Sequence, residues 1–145
     1  MIDNILVICE GNICRSPMAK GFLAKELPQA RISSAGLNAL VGSKADPTAV
    51  ALMAERGIDI SDHIATSLGL RDINRSNLVL VMERSQVKRV EMAYPFAKGK
   101  VYRLGDAHNF DIADPYQRGR SAFEGALAQI ERGVAAWVNA LSRLK

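Results

Sequence analysis

Cysteine is scarce in this sequence of 145 residues, and the two that are present, Cys9 and Cys14, lie in one short segment. Residues this close in sequence cannot link distant parts of the chain. We expect no four-ligand structural zinc site, because only His63 and His108 could add histidine ligands. The chain also begins without a basic segment followed by a long apolar one. We therefore expect no signal peptide, a cytoplasmic location and reduced thiols.

Long hydrophobic runs, abundant aromatic residues and blocks of like charge are also missing. No apolar run approaches the ~20 residues of a transmembrane helix, so stable membrane insertion is not expected. Aromatic residues make up 6% of the chain and the 19 basic residues form no run, which argues against a nucleic-acid partner. The net charge of +4 suits an anionic substrate, although a solvated basic surface explains it equally well. Length and ordinary composition predict a single domain over residues 1–145.

Short apolar segments alternate with segments of helical pattern. The predicted strands are Asn4–Cys9, Arg31–Ser34, Asn77–Met82 and Lys100–Leu104. Four helices are predicted. The first begins at Ser16-Pro17 and ends before Pro28, and the second begins at Asp46-Pro47 and ends at Gly57. The third covers Ser85–Ala93, and the last begins at the capping-box sequence Ser121–Glu124. The alternation predicts an α/β fold of βαβ units around a mostly parallel sheet.

The last predicted helix carries an apolar stripe at helical spacing. Its members are Phe123, Leu127, Ile130, Val134, Trp137, Val138, Leu141 and Leu144. We predict that the stripe faces the core, and a partner-binding stripe is the alternative.

The segment from Cys9 to Ser16, with the sequence CEGNICRS, leads from the first predicted strand into the first predicted helix. Parallel sheets bind ligands beyond the carboxyl ends of their strands, which is where this loop lies. Gly11 allows the loop to curl, so that successive backbone N–H groups and the positive end of the helix dipole meet at one point. The loop therefore predicts an anion nest sized for phosphate, although the GxxxxGK(S/T) pattern of a Walker loop is missing.

Three residues of this loop suit phosphoryl transfer. The N–H groups, the helix dipole and Arg15 all favour the thiolate of Cys9, which would then be a ready nucleophile. Arg15 offers a planar guanidinium matched to two phosphate oxygens, and Ser16 can donate its hydroxyl to the sulfur. The alternative is a buried, inert cysteine near a surface arginine.

A carboxylic acid in a nearby loop is also required, because an ester leaving group needs a proton. Asp114, which precedes Pro115 and Tyr116, is the first candidate, and Asp106 and Asp111 compete with it. Asp-Pro pairs are also common in turns, so an ordinary turn aspartate is the alternative.

Four segments together resemble the low-molecular-weight protein tyrosine phosphatases: ILVICEGNICRSPMA, SSAGLNALVGSKADP, GIDISDH and IADPYQ. Their order and spacing match the family over nearly the whole chain, and the chain looks most like bacterial members that accompany a capsule or exopolysaccharide tyrosine autokinase. The resemblance implies a three-layer domain with a four-stranded, mostly parallel twisted sheet flanked by helices. It also implies hydrolysis of phosphotyrosine in proteins through a phosphocysteine intermediate, a cognate tyrosine autokinase as partner, and neither a metal nor an organic cofactor.

The resemblance further implies a role for individual residues. Cys9 is the implied nucleophile, Arg15 binds the phosphoryl oxygens, and Ser16 stabilises the thiolate. Asp114 acts first as general acid and then as general base. The implied substrate-binding residues are Glu10, Gly11, Asn12, Ile13, Cys14, Leu40 and Tyr116. Asn12 also holds the loop in shape, supported by Ser34 and His63.

Several positions depart from the family pattern or leave a choice open. Thr66 stands where arginine or a similar residue is common, which puts one local support in doubt. Gln117 replaces a second aromatic residue, so Tyr116 remains to stack on a phosphotyrosine ring. Cys14 matches the family's second loop cysteine and either forms a reversible disulfide with Cys9 or simply packs in the loop.

Three rival functions fit less well. Thioredoxin-coupled arsenate reductases use two further cysteines downstream of the loop, and this chain has none after Cys14. Phosphoarginine phosphatases of the family carry threonine where this chain has Ile13. A phosphate-binding or redox-sensing module would dispense with the acid, and the presence of Asp114 beside Tyr116 argues against it.

Overall fold

Four parallel strands form the central sheet of the protein, whose computed structural model describes residues 2–144. The strands are β1 (Asn4–Cys9), β2 (Arg31–Gly36), β3 (Leu78–Val81) and β4 (Val101–Arg103), in the spatial order β2-β1-β3-β4. Every pairing between these strands is parallel. In strand β1, Val7 pairs with Ser34 of β2 on one side and with Leu80 of β3 on the other. The predicted parallel sheet is confirmed.

Five α-helices and two 3-10 turns accompany the strands within the described residues. The helices are α1 (Arg15–Glu26), α2 (Pro47–Glu55), α3 (Leu70–Arg75), α4 (Arg84–Ala93) and α5 (Arg120–Ser142), and the turns are Pro95–Ala97 and Asp106–His108. None of the helices in residues 2–144 is both long enough and apolar enough to cross a membrane.

The alternation of side chains along β1 divides the core between the two faces of the sheet. Ile5, Val7 and Cys9 belong to one buried cluster, together with residues of α1, α2 and α5. Leu6 and Ile8 belong to the other, with residues of α3 and α4. A strand covered on both faces must be apolar throughout, which explains the unbroken apolar sequence of β1. The three-layer α/β fold is thereby confirmed.

The start of α1 differs from the prediction. Cys14, not Ser16, is the N-cap residue of this helix, and Ser16 lies inside its first turn. The reason is that the Ser16 hydroxyl bonds to the side chains of Cys9 and Asn12, so it is not available to the helix backbone. The prediction for α2 is confirmed, because the Asp46 side chain caps that helix.

The start and the end of α5 also require correction. The helix begins at Arg120 after Gly119, whose φ of 89° lets the chain turn into the helix early, so the capping box at Ser121 is wrong. Leu144 lies beyond the end of α5 and is 68% exposed, so its assignment to the core is wrong as well.

Two smaller differences concern short elements. Strand β2 continues past the predicted end at Ser34 as far as Gly36. Helix α3 was not predicted from the sequence, since it has six residues with only Ile73 buried, which is too few for a recognisable period.

Candidate active site

The loop between β1 and α1 curls beyond the carboxyl end of the sheet. Cys9 ends β1 and is 2% exposed, and Arg15 begins α1. Asn12 adopts a left-handed conformation with a φ of 59°, which asparagine tolerates better than most residues. Within the part of the chain that the structure describes, the backbone N–H groups of residues 11–14 donate to no backbone carbonyl. Such free donors at the start of a helix are what an anion-binding nest requires.

A chain of hydrogen bonds runs from Asn12 through Ser16 to Cys9. The Nδ2 group of Asn12 donates to Ser16 Oγ at 2.8 Å, and Ser16 Oγ lies 2.9 Å from Cys9 Sγ. Because the serine oxygen accepts from an amide, its own proton is available for the sulfur. A bond donated to the sulfur favours the charged form, so this geometry suits a cysteine that acts as a thiolate.

Asn12 is held from three further directions. Its Nδ2 group also donates to Ser34 Oγ at 3.1 Å, and its Oδ1 accepts from the Thr66 backbone N–H at 2.9 Å. The Nε2–H of His63 donates to the Asn12 backbone oxygen at 2.6 Å. Burial holds the pKa of His63 below its ordinary value, although the bond to Asn12 opposes this, so the neutral ring is favoured. Thr66 thus supports the loop through its backbone, which does not depend on its side chain.

Arg15 is 1% exposed, and its guanidinium contacts two carboxylates. Nη1 donates to Glu83 Oε2 at 2.5 Å and to the Ile112 carbonyl at 2.7 Å, and Nη2 lies 3.6 Å from Asp114 Oδ2. Sequence reasoning missed Glu83. The available signal was its position directly after the predicted strand Asn77–Met82, since ligand sites of parallel sheets lie beyond the carboxyl ends of strands.

The three candidate aspartates have different partners. Asp114 lies beside Arg15 and lines the cavity at Cys9. Asp106 and Asp111 instead pair with Arg103, at 3.4 and 3.0 Å. The Tyr116 N–H donates to Asp114 Oδ1 at 3.1 Å, so the Asp-Pro pair forms a turn as well. Of the three, the structure brings Asp114 to the loop.

A cavity of about 180 Å³ opens over the loop. Its lining consists of Cys9, Glu10, Gly11, Ile13, Cys14, Arg15, Asn38, Leu40, Asp114 and Tyr116. Leu40 and Tyr116 are partly exposed walls of suitable character for an aryl ring. Asn12 is fully buried and does not line the cavity, so the structure places it as a support of the loop. Asn38 lines the cavity but was not identified from the sequence.

The second thiol of the loop has a different environment from the first. Cys9 and Cys14 are both free and buried. Burial raises the pKa of Cys14, and the nearby carboxylate of Asp46 adds to this effect. Cys14 therefore remains a neutral thiol.

A larger groove of about 570 Å³ includes residues of α1 and α5 but none of the loop. Phe22, Lys25 and Glu131 contribute to its lining, which contains neither cysteine nor histidine. Within residues 2–144, no group of three or more histidine, cysteine or acidic side chains could hold a metal ion. The nucleophilic thiol of Cys9 and the carboxyl group of Asp114 lie together in the lining of the smaller cavity, at the loop.

Comparisons with known proteins show which family the chain resembles. Residues 4–145 match the family described as low molecular weight phosphotyrosine protein phosphatase. A relative from Ralstonia solanacearum, named probable low molecular weight protein-tyrosine-phosphatase EpsP, is 51% identical over 138 residues, which are 95% of each chain. The crystal structure of the tyrosine phosphatase Wzb from Escherichia coli K30 in complex with sulphate is 35% identical with a TM-score of 0.93, over 97% of this chain and 99% of that chain. A YwlE arginine phosphatase from Geobacillus stearothermophilus is 31% identical with a TM-score of 0.90, over 97% and 93% of the two chains.

Fold and sequence together place the chain among the phosphatases. It belongs to the low molecular weight phosphotyrosine protein phosphatase family, and it is a protein-tyrosine phosphatase. The family resemblance inferred from the four sequence segments is confirmed.

Proposed function

We propose that this enzyme hydrolyses phosphotyrosine in proteins through a phosphocysteine intermediate at Cys9. The observation that carries the proposal is the hydrogen-bond chain from Asn12 through Ser16 to the Cys9 sulfur. A thiolate stabilised in this way is a nucleophile without a separate base. The N–H groups of residues 11–14 donate to no backbone carbonyl and are therefore available to bind phosphate.

The first half-reaction transfers the phosphoryl group to sulfur. The loop N–H groups and Arg15 bind the phosphoryl oxygens, and the Cys9 thiolate attacks phosphorus in line with the ester oxygen. The S–P bond forms as the P–O bond to tyrosine breaks, and Asp114 gives its proton to the departing phenolate oxygen. The position of Asp114 on the cavity wall beside Arg15 supports this role.

The second half-reaction returns the enzyme to its starting state. The Asp114 carboxylate takes a proton from water as the water oxygen attacks phosphorus. The S–P bond breaks, inorganic phosphate leaves, and the thiolate again accepts the hydrogen bond from Ser16. Asp114 is then protonated for the next cycle.

Tyrosine rather than arginine is the favoured origin of the phosphoryl group. A relative is named an arginine phosphatase, so the family fold serves more than one leaving group. In this chain Ile13 lines the cavity and has no hydroxyl to bind a guanidinium. Leu40 and Tyr116 instead provide apolar and aromatic surface for a phenyl ring.

The physiological substrate is proposed from the resemblance to bacterial members. We propose a tyrosine autokinase linked to exopolysaccharide or capsule production, dephosphorylated in the cytoplasm. A tyrosine-rich peptide that carries phosphotyrosine should then be dephosphorylated faster than a phosphoarginine peptide of the same length. Preference for the phosphoarginine peptide would reject tyrosine as the leaving group.

Hydrolysis of para-nitrophenyl phosphate under reducing conditions, with a chelator and no added metal, tests the mechanism. Wild type should turn over, and Cys9→Ser should be inactive while its circular dichroism spectrum is unchanged. Rapid acid quenching followed by mass spectrometry should show a phosphoryl adduct on Cys9 and not on Cys14. Wild-type-like turnover by Cys9→Ser, or an adduct on another residue, would reject Cys9 as nucleophile.

A further inference from the structure

One residue in the lining of the active-site cavity, where an anion has to bind, has a carboxylate side chain. Glu10 directly follows Cys9 and lines the cavity, as does Asp114. Arg15 is the one cation in this lining among residues 2–144. With Asp114 protonated as the general acid, the Glu10 carboxylate and the Cys9 thiolate still outnumber this single cation. A negative charge in the lining of the cavity opposes the binding of a phosphoryl dianion, so the charge of Glu10 needs compensation.

Arg89 of α4 supplies a matching positive charge. Its Nη1 donates to Glu10 Oε1, and its Nη2 donates to Glu10 Oε2 at 3.3 Å. The Nδ2 group of Asn38 donates to the same Oε2 at 2.7 Å. Two guanidinium nitrogens on two carboxylate oxygens form the bidentate arrangement that arginine favours. Arg89 itself does not line the cavity, so it acts on the site through Glu10.

Glu10 is charged in this arrangement. Partial burial raises its pKa, but the hydrogen bonds from Arg89 and Asn38 outweigh burial and leave the pKa below its ordinary value. The side chains of Glu10 and Arg89 are 33% and 44% exposed, so salt in the solvent partly screens the pair.

We propose that Arg89 is a positioning residue that sets the affinity of the cavity for phosphoryl groups by cancelling the charge of Glu10. This inference rests on the proposed binding of the phosphoryl group by residues 9–15. Helix α4 begins directly after Glu83, which bonds to Arg15. One short segment thus holds the phosphate-binding guanidinium and neutralises the carboxylate that opposes it.

A purely structural role for Arg89 makes a different prediction. If the ion pair only fastened α4 to the loop, removal of both partners would be at least as harmful as removal of Arg89 alone. If Arg89 cancels charge, the damage comes from the bare Glu10 carboxylate, and neutralising Glu10 repairs it. Comparison of Arg89→Met with the double variant that also carries Glu10→Gln separates the two roles, because the effects of residues in direct contact are coupled.

The experiment measures KM and kcat for para-nitrophenyl phosphate, and the dissociation constant of inorganic phosphate by calorimetry, at low and high ionic strength. Arg89→Met should raise KM and the phosphate dissociation constant roughly three- to tenfold at low salt, with a smaller effect on kcat, and the increase should shrink at high salt. In the double variant with Glu10→Gln, both constants should return closer to wild type than to Arg89→Met. Glutamine keeps an oxygen that can accept from Asn38.

Arg120→Met is the matched control, because Arg120 also forms an exposed ion pair, with Glu55 at 2.7 Å, and lies outside the cavity lining. It should change neither constant. Unchanged phosphate affinity in Arg89→Met, or a double variant as weak as Arg89→Met, would overturn the inference. Calorimetry measures the affinity for phosphate without requiring turnover, so it tests this inference separately from the proposed hydrolysis. An inactive wild type that still binds phosphate would count against the hydrolysis and not against the role of Arg89.

Discussion

The guanidinium of Arg15 donates from Nη1 to Glu83 Oε2 at 2.5 Å, and the two residues are 68 positions apart in the chain. The same nitrogen donates to the Ile112 carbonyl, so two bonds from different parts of the fold hold one side of the guanidinium. Nη2 remains on the side of Asp114. Arginine has several rotatable bonds, and these contacts fix the orientation of the guanidinium that we propose binds phosphate.

Substitution of Glu83 should therefore weaken catalysis although Glu83 does not line the cavity. Glu83→Ala is expected to lower kcat/KM for para-nitrophenyl phosphate about 10- to 100-fold, which corresponds to the ~1.5–3 kcal/mol of a hydrogen bond to a charged group. Glu83→Gln should lose less, because its amide oxygen still accepts from Arg15. The control Glu131→Ala breaks an exposed pair with Arg56 and should keep wild-type kinetics. Wild-type kinetics in both Glu83 variants would contradict this role.

Asp114→Asn should slow turnover of aryl phosphates roughly 10²–10⁴-fold, the range typical of general acid–base catalysis. The loss should be larger for phenyl phosphate than for para-nitrophenyl phosphate, whose leaving group needs a proton less. Asp106→Asn is the control from the same part of the chain, since Asp106 pairs with Arg103. Turnover by Asp114→Asn within about threefold of wild type would argue against the assignment.

Two glycines of α5 should respond in opposite ways to the same substitution. A Cβ at Gly133 would lie 2.8 Å from the Leu104 carbonyl oxygen, whereas a Cβ at Gly125 would meet no atom within 4 Å. Gly133→Ala should therefore lower the free energy of unfolding by about 1–3 kcal/mol through overpacking. Gly125→Ala should raise it by up to about 1 kcal/mol, because alanine favours the helix. Urea denaturation measures both, and equal effects would contradict the close contact of α5 with Leu104.

The burial of His63 predicts a pH dependence of stability. Its pKa is held below the ordinary value of 6.5, so on acidification the unfolded chain takes up this proton first. The stabilising contribution is complete above about pH 6.5 and is lost as the pH falls through the folded-state pKa. Urea midpoints between pH 8 and 5 should fall less steeply in His63→Asn than in wild type. His108 is exposed, and His108→Asn should keep the wild-type slope; a wild-type slope in His63→Asn would contradict the prediction.

Local sequence was sufficient for much of the fold. The unbroken apolar segment of β1 required cover on both faces of a parallel sheet, and the sheet has that cover. The cap at Asp46 was predicted because it depends on residues two positions apart. The helix starts predicted at Ser16 and Ser121 were wrong, because a cap motif describes only the hydrogen bonds that a side chain can form with its neighbours in sequence. At Ser16 the tertiary contacts with Cys9 and Asn12 compete for the hydroxyl.

The sequence by itself determined which reactive side chains the loop between β1 and α1 contains: a cysteine and an arginine between a buried strand and a helix. Only the tertiary structure decided which acid joins the loop and what orients its groups. Asp114 reaches Arg15, Asp106 turns to Arg103, and Glu83 comes from the end of the neighbouring strand. The physical reason is the separation of the interacting residues along the chain. The loop conformation depends on residues that are neighbours in sequence, whereas these partners meet only after the parallel strands align their carboxyl ends.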